Sequence, residues 1–238
     1  MSYWKKPLKR YLGGDKMCYQ FGCSFCDELS GYGENSFFDI FAKSDFEKAG
    51  LKNRIVAETD NFVLMPMVGP LVPMYLLLVP KKHFLSFAHM PNALLREARE
   101  IMQKLFKVFS EITCHPVFFE HGPMSPSKRG ACCSDHAHLH AVAIDVDVKN
   151  DFEKRGLHKK RIFNFLEIQN QISVNCPYLF YQNQSGEMYI IDALEVESQL
   201  IRKMIATKIG ALSRLEWIDD RKTDWMIEVV KKIKPYFK

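Results

Sequence analysis

The chain has no apolar run of membrane-spanning length. Its best candidate, Met74-Tyr-Leu-Leu-Leu-Val-Pro80, falls well short of the ~18 residues a spanning helix needs, so no membrane partner is expected. The N-terminal stretch MSYWKKPLKRYLGG lacks the apolar core of a secretory signal. A disulfide framework is missing too. The cysteines number seven, an odd count, and four of them sit in two crowded pairs, Cys23/Cys26 and Cys132/Cys133. That usage suits reduced thiols or metal ligands and a cytoplasmic location. Internal repeats and low-complexity segments are absent. So is a large charge excess: 33 basic and 28 acidic residues leave a net +5. Such a balance fits an anionic ligand without demanding nucleic acid.

What is present is ordinary globular composition, 47% apolar and 26% charged over 238 residues. That length suits one domain with an extension. Residues 1–17 read as a basic, aromatic arm. Short strands are expected at 54–58 and 61–66 around a Thr59-Asp60 turn, and a strand apolar on both faces at 75–79. The strongest helix signal spans 92–112, where Leu94, Leu95, Ala98, Ile101, Met102, Leu105, Phe106, Phe109 and Ile112 recur at helical spacing. Asn92 can cap it. Strands follow at 116–120 and 136–144. They are separated by a Gly/Pro/Ser loop carrying Lys128 and Arg129, which could steer an anion. Composition shifts near residue 150. Beyond it the pattern predicts a mostly helical 151–172, a hairpin of 178–181 and 188–191 around Gln184-Ser-Gly186, and helices at 196–209 and 223–234.

The chemistry concentrates in Ser134-Asp-His-Ala-His-Leu-His-Ala-Val-Ala-Ile144. On a strand, residues i, i+2 and i+4 share a face. His136, His138 and His140 therefore point one way, and Ala137, Leu139 and Ala141 the other. Three same-face imidazoles beside apolar neighbours are costly to bury without partners. Metal binding, catalysis, or a division between the two are the readings left. A second cluster, Cys23-Ser-Phe-Cys26, is a weak signal alone. A redox reading wants a thioredoxin-like βαβ context, which the pattern does not offer. A zinc reading needs two more nitrogen or sulfur ligands. His83, in Pro80-Lys-Lys-His83, and one histidine of the triplet can supply them.

CxxC, an apolar strand ending Pro-x-x-His, a long helix, a glycine-containing loop and His-x-His-x-His occur here in one order. In that order they resemble the zinc-containing branch of the histidine triad (HIT) superfamily, over about residues 18–148. The resemblance implies an α+β fold: an antiparallel sheet with a long helix, in a HIT-like catalytic domain over 18–150. A smaller C-terminal α+β extension would then occupy 151–238. It implies structural Zn2+ held by Cys23, Cys26, His83 and His136. It implies that His138 is the nucleophile, attacking the α-phosphorus of a nucleotide or nucleotide conjugate to give a nucleotidyl-histidine. His140 would serve the leaving group, and Glu120, Gly122, Cys133 and Ser134 would bind phosphate. It also implies a two-fold homodimer. The third triad position is His140, not the Gln of the transferase branches, which favours hydrolase-like chemistry.

This chain departs from the family pattern in places. Met74-Tyr75 stands where small members carry Gly-His. The acid that holds the ribose in those members falls near Met67. Glu120 replaces a loop asparagine and Cys133 a serine. Pro177-Tyr-Leu-Phe-Tyr181, the Gly186 turn, Ser198-Gln-Leu-Ile-Arg202 and Asp224-Trp225 loosely resemble the tail of CwfJ-type HIT proteins, which are linked to RNA lariat turnover. A packing unit covering one side of the sheet is the plainer reading of that region. A nucleic-acid-linked protein and a non-catalytic nucleotide binder are the alternatives to an enzyme; nucleic acid is the less favoured partner.

Overall fold

The computed structural model describes residues 20, 22–30, 36–127, 134–216, 218 and 221–237, without the Phe37 side chain. The expected arm 1–17 and the loop positions Lys128, Arg129, Cys132 and Cys133 lie outside the described residues. In chain order the elements are α1 (Ser24–Ser30), α2 (Phe37–Phe41), α3 (Lys43–Lys48), β1 (Ala57–Glu58), β2 (Phe62–Pro66), β3 (Tyr75–Pro80), α4 (Asn92–Ile112), β4 (Pro116–Gly122), β5 (Leu139–Ala143), α5 (Asp151–Lys154), β6 (Lys159–Ile162), α6 (Asn170–Val174), β7 (Tyr178–Gln182), β8 (Met188–Asp192), α7 (Leu200–Lys208) and α8 (Thr223–Ile233).

The fold is α+β around one eight-stranded antiparallel sheet, in the order β1-β2-β3-β5-β4-β7-β8-β6. Side-chain alternation along the strands divides the interior into two cores. Leu76, Leu78, Phe118, Ala141, Phe180 and Ile190 face one way and meet α4 and α8. Tyr75, Leu77, Val117, Phe119, Val142 and Leu179 face the other way, beneath α7, with Phe25 and Leu29 of α1 packed alongside. The sheet is thus covered on both sides, which explains why β3 is apolar throughout.

Helix α4 follows its periodicity. Leu95, Ala98, Met102, Leu105 and Phe109 form its buried stripe. Its cap differs from the expectation: Pro91 occupies the N-cap, Asn92 is the first helical residue, and no side chain caps the end. The first strand is also shorter than expected, only Ala57–Glu58. The triplet strand starts later, at Leu139, yet Ala137 remains in the α4-side core and the alternation holds through His136.

The clearest correction lies at 151–172, expected to be mostly helical. Helix α5 ends after one turn, and Gly156 at φ 73° redirects the chain. Lys159–Ile162 is a strand paired with β8, from Lys159↔Ile191 to Ile162↔Met188. Lys-Lys-Arg-Ile carries little strand preference of its own. Its place is the sheet's outer edge, where charged side chains discourage further pairing. The helix expected at 196–209 begins at Leu200, after Gln199 in a left-handed conformation (φ 59°). The C-terminal region therefore contributes three strands to the sheet and a helix to each of its faces.

Candidate functional site

Four ligand-bearing side chains converge at one end of the sheet. Cys23 precedes α1 and Cys26 lies one turn into it, so the spacing puts both sulfurs on one side. Arg54 anchors that helix with a two-pronged ion pair to Glu28, at 2.7 and 2.6 Å, and a further bond to the Pro66 carbonyl. His83 follows the end of β3, and His136 enters β5. The Cys23 Sγ to His136 Nδ1 distance is 3.4 Å, Cys26 Sγ to His136 Nδ1 is 3.5 Å, and Cys26 Sγ to His83 Nδ1 is 3.4 Å. All four ligand atoms lie within 4.8 Å of one another.

The second partners fix the chemistry of this cluster. His136 Nε2 lies 2.8 Å from the Pro80 carbonyl. A carbonyl only accepts, so Nε2 carries the proton and Nδ1 keeps its lone pair toward the sulfurs. The hydrogen bond from Cys26 holds Cys23 low, against the effect of burial; that bond and burial push Cys26 up. A cation of thiolate affinity would displace the thiol protons. The donor set Cys2His2 therefore fits a metal ion.

The next two histidines face a different task. His138 Nδ1 is 2.7 Å from the His136 carbonyl. Nδ1 must donate, which leaves the lone pair on Nε2. Burial holds the His138 pKa down at about 4, with neighbouring His136 and Arg202 lowering it and the carbonyl bond raising it. The imidazole is neutral at pH 7. Phe25 tilts against His136 and His138 at 5.5 and 5.4 Å. His140 stacks on Phe119 at 4.3 Å and 8°, and its Nδ1 meets the Tyr75 hydroxyl at 2.7 Å. Burial holds His140 well below the usual histidine range, with His138, His121 and Arg202 adding to the effect.

Two further groups complete this pocket. His121, on β4, lies edge-on to His140 at 6.0 Å; burial lowers its pKa to about 3, with His138 and Arg202 adding to it. Arg202, on α7, reaches over the Tyr75 ring at 6.0 Å. In the sequence, His121 is a candidate substrate contact only through its place in the loop before the triplet. His121 reads as a loop residue because β4 extends two residues further than its pattern suggests. Arg202 had one signal: it falls within the buried stripe of Leu200, Ile201, Met204 and Ile205.

The expected phosphate binders are distributed differently. Glu120 and Gly122 alternate with His121, and they lie on the α4 side of the sheet. There the Glu120 carboxyl accepts from the Tyr178 hydroxyl at 2.6 Å and the Phe87 amide at 2.8 Å. Burial pushes its pKa up to about 8. A Cβ on Gly122 would lie 2.2 Å from the Tyr178 ring, so this glycine seats the tyrosine. The structure does not bring Glu120 or Gly122 to the histidines. Ser134 is half-buried two residues before His136. Cys133 lies outside the described residues.

Comparison with known proteins finds one family match. A model of the HIT domain matches residues 48–145, which takes in His83, α4 and the histidine triplet but not Cys23 or Cys26. The match supports placing this part of the chain in the histidine triad superfamily. The chain is an α+β protein whose residues 48–145 match a HIT domain model.

Similar solved structures include a Zn-bound histidine triad family protein from Mycobacterium smegmatis. It is 17% identical over 65% of this chain and 92% of that one, with a TM-score of 0.39. A Hit-like protein involved in cell-cycle regulation from Bartonella henselae, with unknown ligand, is 14% identical over 60% and 98%, TM-score 0.34. A HIT family hydrolase from Clostridium thermocellum is 18% identical over 45% and 92%, TM-score 0.33. These likenesses are too distant to assign any residue a role. A search of curated proteins found no match. Neither the HIT match, which ends at 145, nor these structures supports the CwfJ-type resemblance of 151–238. Among the described residues, no helix is long and apolar enough to cross a membrane.

Proposed function

We propose that this protein is a HIT-type nucleotide phosphohydrolase or nucleotidyl transferase that works through His138. The observation that carries this reading is the bond from His138 Nδ1 to the His136 carbonyl. It leaves Nε2 of a neutral imidazole as the free lone pair. That lone pair attacks the α-phosphorus of a nucleotide or nucleotide conjugate. A P–N bond forms, and the bond from phosphorus to the leaving atom breaks with its electron pair. With Tyr75 donating to Nδ1 of His140, the proton on Nε2 of His140 is available as a hydrogen bond to the leaving atom. Water, or another acceptor, then attacks the same phosphorus. Its oxygen forms the new P–O bond, the electron pair returns to His138 Nε2, and its proton passes to the leaving group or to solvent.

Cys23, Cys26, His83 and His136 are proposed to hold a structural zinc ion. Thiolate and imidazole ligands of a tetrahedral zinc lie about 3.5 Å apart, in keeping with the 3.4 and 3.5 Å separations here. Bound there, zinc would tie α1 and the end of β3 to the start of the catalytic strand. His136 then has two uses: its ring serves the metal and its carbonyl orients His138. We assign the catalytic unit to 18–150, and to 151–238 an extension that widens the sheet and covers the histidines with α7. Ser134 and Cys133 remain the proposed phosphate contacts at the entry to the triplet. The proposed partners are a nucleotide or nucleotide conjugate and a second copy of the chain. With β4 paired to β7, the sheet edges open to that copy are β1 and β6.

The test is intact-protein mass spectrometry after incubation with nucleoside phosphoramidates and dinucleoside polyphosphates of each base. A nucleotidyl adduct that maps to His138 and vanishes in His138→Asn is the expected result. Undiminished turnover by His138→Asn would refute the mechanism, and binding of a nucleotide without adduct or turnover would point to a non-catalytic binder.

A further inference from the structure

We propose that Arg202, delivered by α7 of the C-terminal region, is a phosphate ligand of the histidine pocket. This deepens the reading above and rests on it for the identity of the anion. The side chain is only 3% exposed, yet a guanidinium does not give up its proton. Its surroundings do not neutralise it. Nη2 donates to the Gly69 carbonyl at 3.1 Å, and the guanidinium lies over the Tyr75 ring. Its Nε is buried with no hydrogen-bond partner. Among the described residues, no carboxylate pairs with it. A buried charge left in this state is costly to the fold. Placed at a site, such a cation suits an anion.

The neighbours say which kind of anion. His121, His138 and His140 all feel the positive charge of Arg202. His121 Nε2 is a second buried atom without a partner. The pocket therefore offers a fixed cation, imidazole N–H groups and one free imidazole lone pair, and among the described residues no acidic side chain is paired to any of them. A carboxylate would suit the cation but would give the His138 lone pair nothing to attack. A phosphate suits both: its oxygens match the planar fork of Arg202, and its phosphorus is the electrophile. On this view α7 is part of the active site, and the HIT unit by itself lacks the cation for its substrate.

Inorganic pyrophosphate, which has no base, tests the anion site directly. Wild-type protein should bind it by calorimetry and gain thermal stability in its presence. Arg202→Met should lose that binding and that gain. Without the anion, Arg202→Met should melt at or above the wild-type temperature, because it removes an unneutralised charge. Arg202→Lys keeps the charge but loses the fork, and should bind pyrophosphate about tenfold or more weakly. Pyrophosphate that fails to bind wild type, or binds Arg202→Met equally well, overturns the proposal. So does a fall in melting temperature on Arg202→Met that Arg202→Lys restores, which marks a structural arginine. Should Arg202→Met not fold, unchanged affinity in Arg202→Lys overturns it alone. Nucleotide turnover separates the two readings. Arg202-dependent pyrophosphate binding without turnover of any nucleotide keeps the anion site and removes the proposed reaction. Turnover that is unaffected by Arg202→Met keeps the reaction and removes the anion site.

Discussion

Strand β4 handles buried polarity in opposite ways on its two sides. On the α4 face Glu120 is 1% exposed and satisfied: one hydroxyl and one amide donate to it, and Gly122 makes room for the tyrosine that does so. On the α7 face, His121 Nε2 and Arg202 Nε are buried with no partner. Along β4 itself, one side is satisfied and the other is left open. Buried polar groups in folded proteins are nearly always paired. Where they are not, the missing partner is often a ligand, and the contrast between faces separates groups that hold the fold from groups that act.

The largest effect should come from the open face. Replacing His138 by Asn or Ala should lower turnover by roughly four orders of magnitude or more, the scale of losing a nucleophile, while melting temperature moves little. Next is the metal cluster beside it. Chelation, or Cys26→Ser, should lower the melting temperature by about 10 °C or more if zinc ties α1 to the sheet. Elemental analysis should find about one zinc per chain; a chain that purifies without metal and melts as before would remove the zinc assignment.

On the α4 side of β4 the effects fall on stability. Gly122→Ala should cost about 2–4 kcal/mol, because the new methyl group meets the Tyr178 ring and neither backbone can give way. Denaturant unfolding measures this directly, and Gly122→Ala combined with Tyr178→Ala should recover part of the loss. The smallest effect is a pH slope. The folded Glu120 pKa is about 8, raised from 4.5. The contribution of its neutral form is therefore fully present below about pH 4.5 and is lost as pH rises through 8. The slope is at most ~1.4 kcal/mol per pH unit, below the cost of Gly122→Ala, and it accumulates to about 5 kcal/mol over the whole interval. Glu120→Gln should flatten this part of the stability profile; an unchanged slope would assign it to another group.

Much of this contrast was legible in the sequence, and the reason is periodicity. The spacing of two between His136, His138 and His140 separated them from Ala137, Leu139 and Ala141, and the structure keeps that division. The stripe of α4 was equally readable. What stayed hidden depended on partners far away in the chain. Glu120 and Gly122 were read by their nearness to the triplet, but whether a residue faces the histidines depends on its parity in β4, and these two have the parity opposite to His121. Lys159–Ile162 became a strand because β8 offered it an edge. Arg202 reaches the pocket across a packing of α7 on the sheet that no local pattern announces.

The pairing of β4 with β7 bears on how the protein is made. Strand β4 ends at Gly122 and its partner begins at Tyr178, 56 positions later. At ~5–20 residues per second of synthesis, the outer edge of β4 waits for several seconds before its neighbour leaves the ribosome. All seven residues of β4 are buried in the finished sheet. Until Tyr178 arrives, Gly122 has no ring above it and Glu120 lacks its hydroxyl. The nascent chain thus passes through an interval in which an edge destined for burial is exposed, and in that interval a chaperone would help it most.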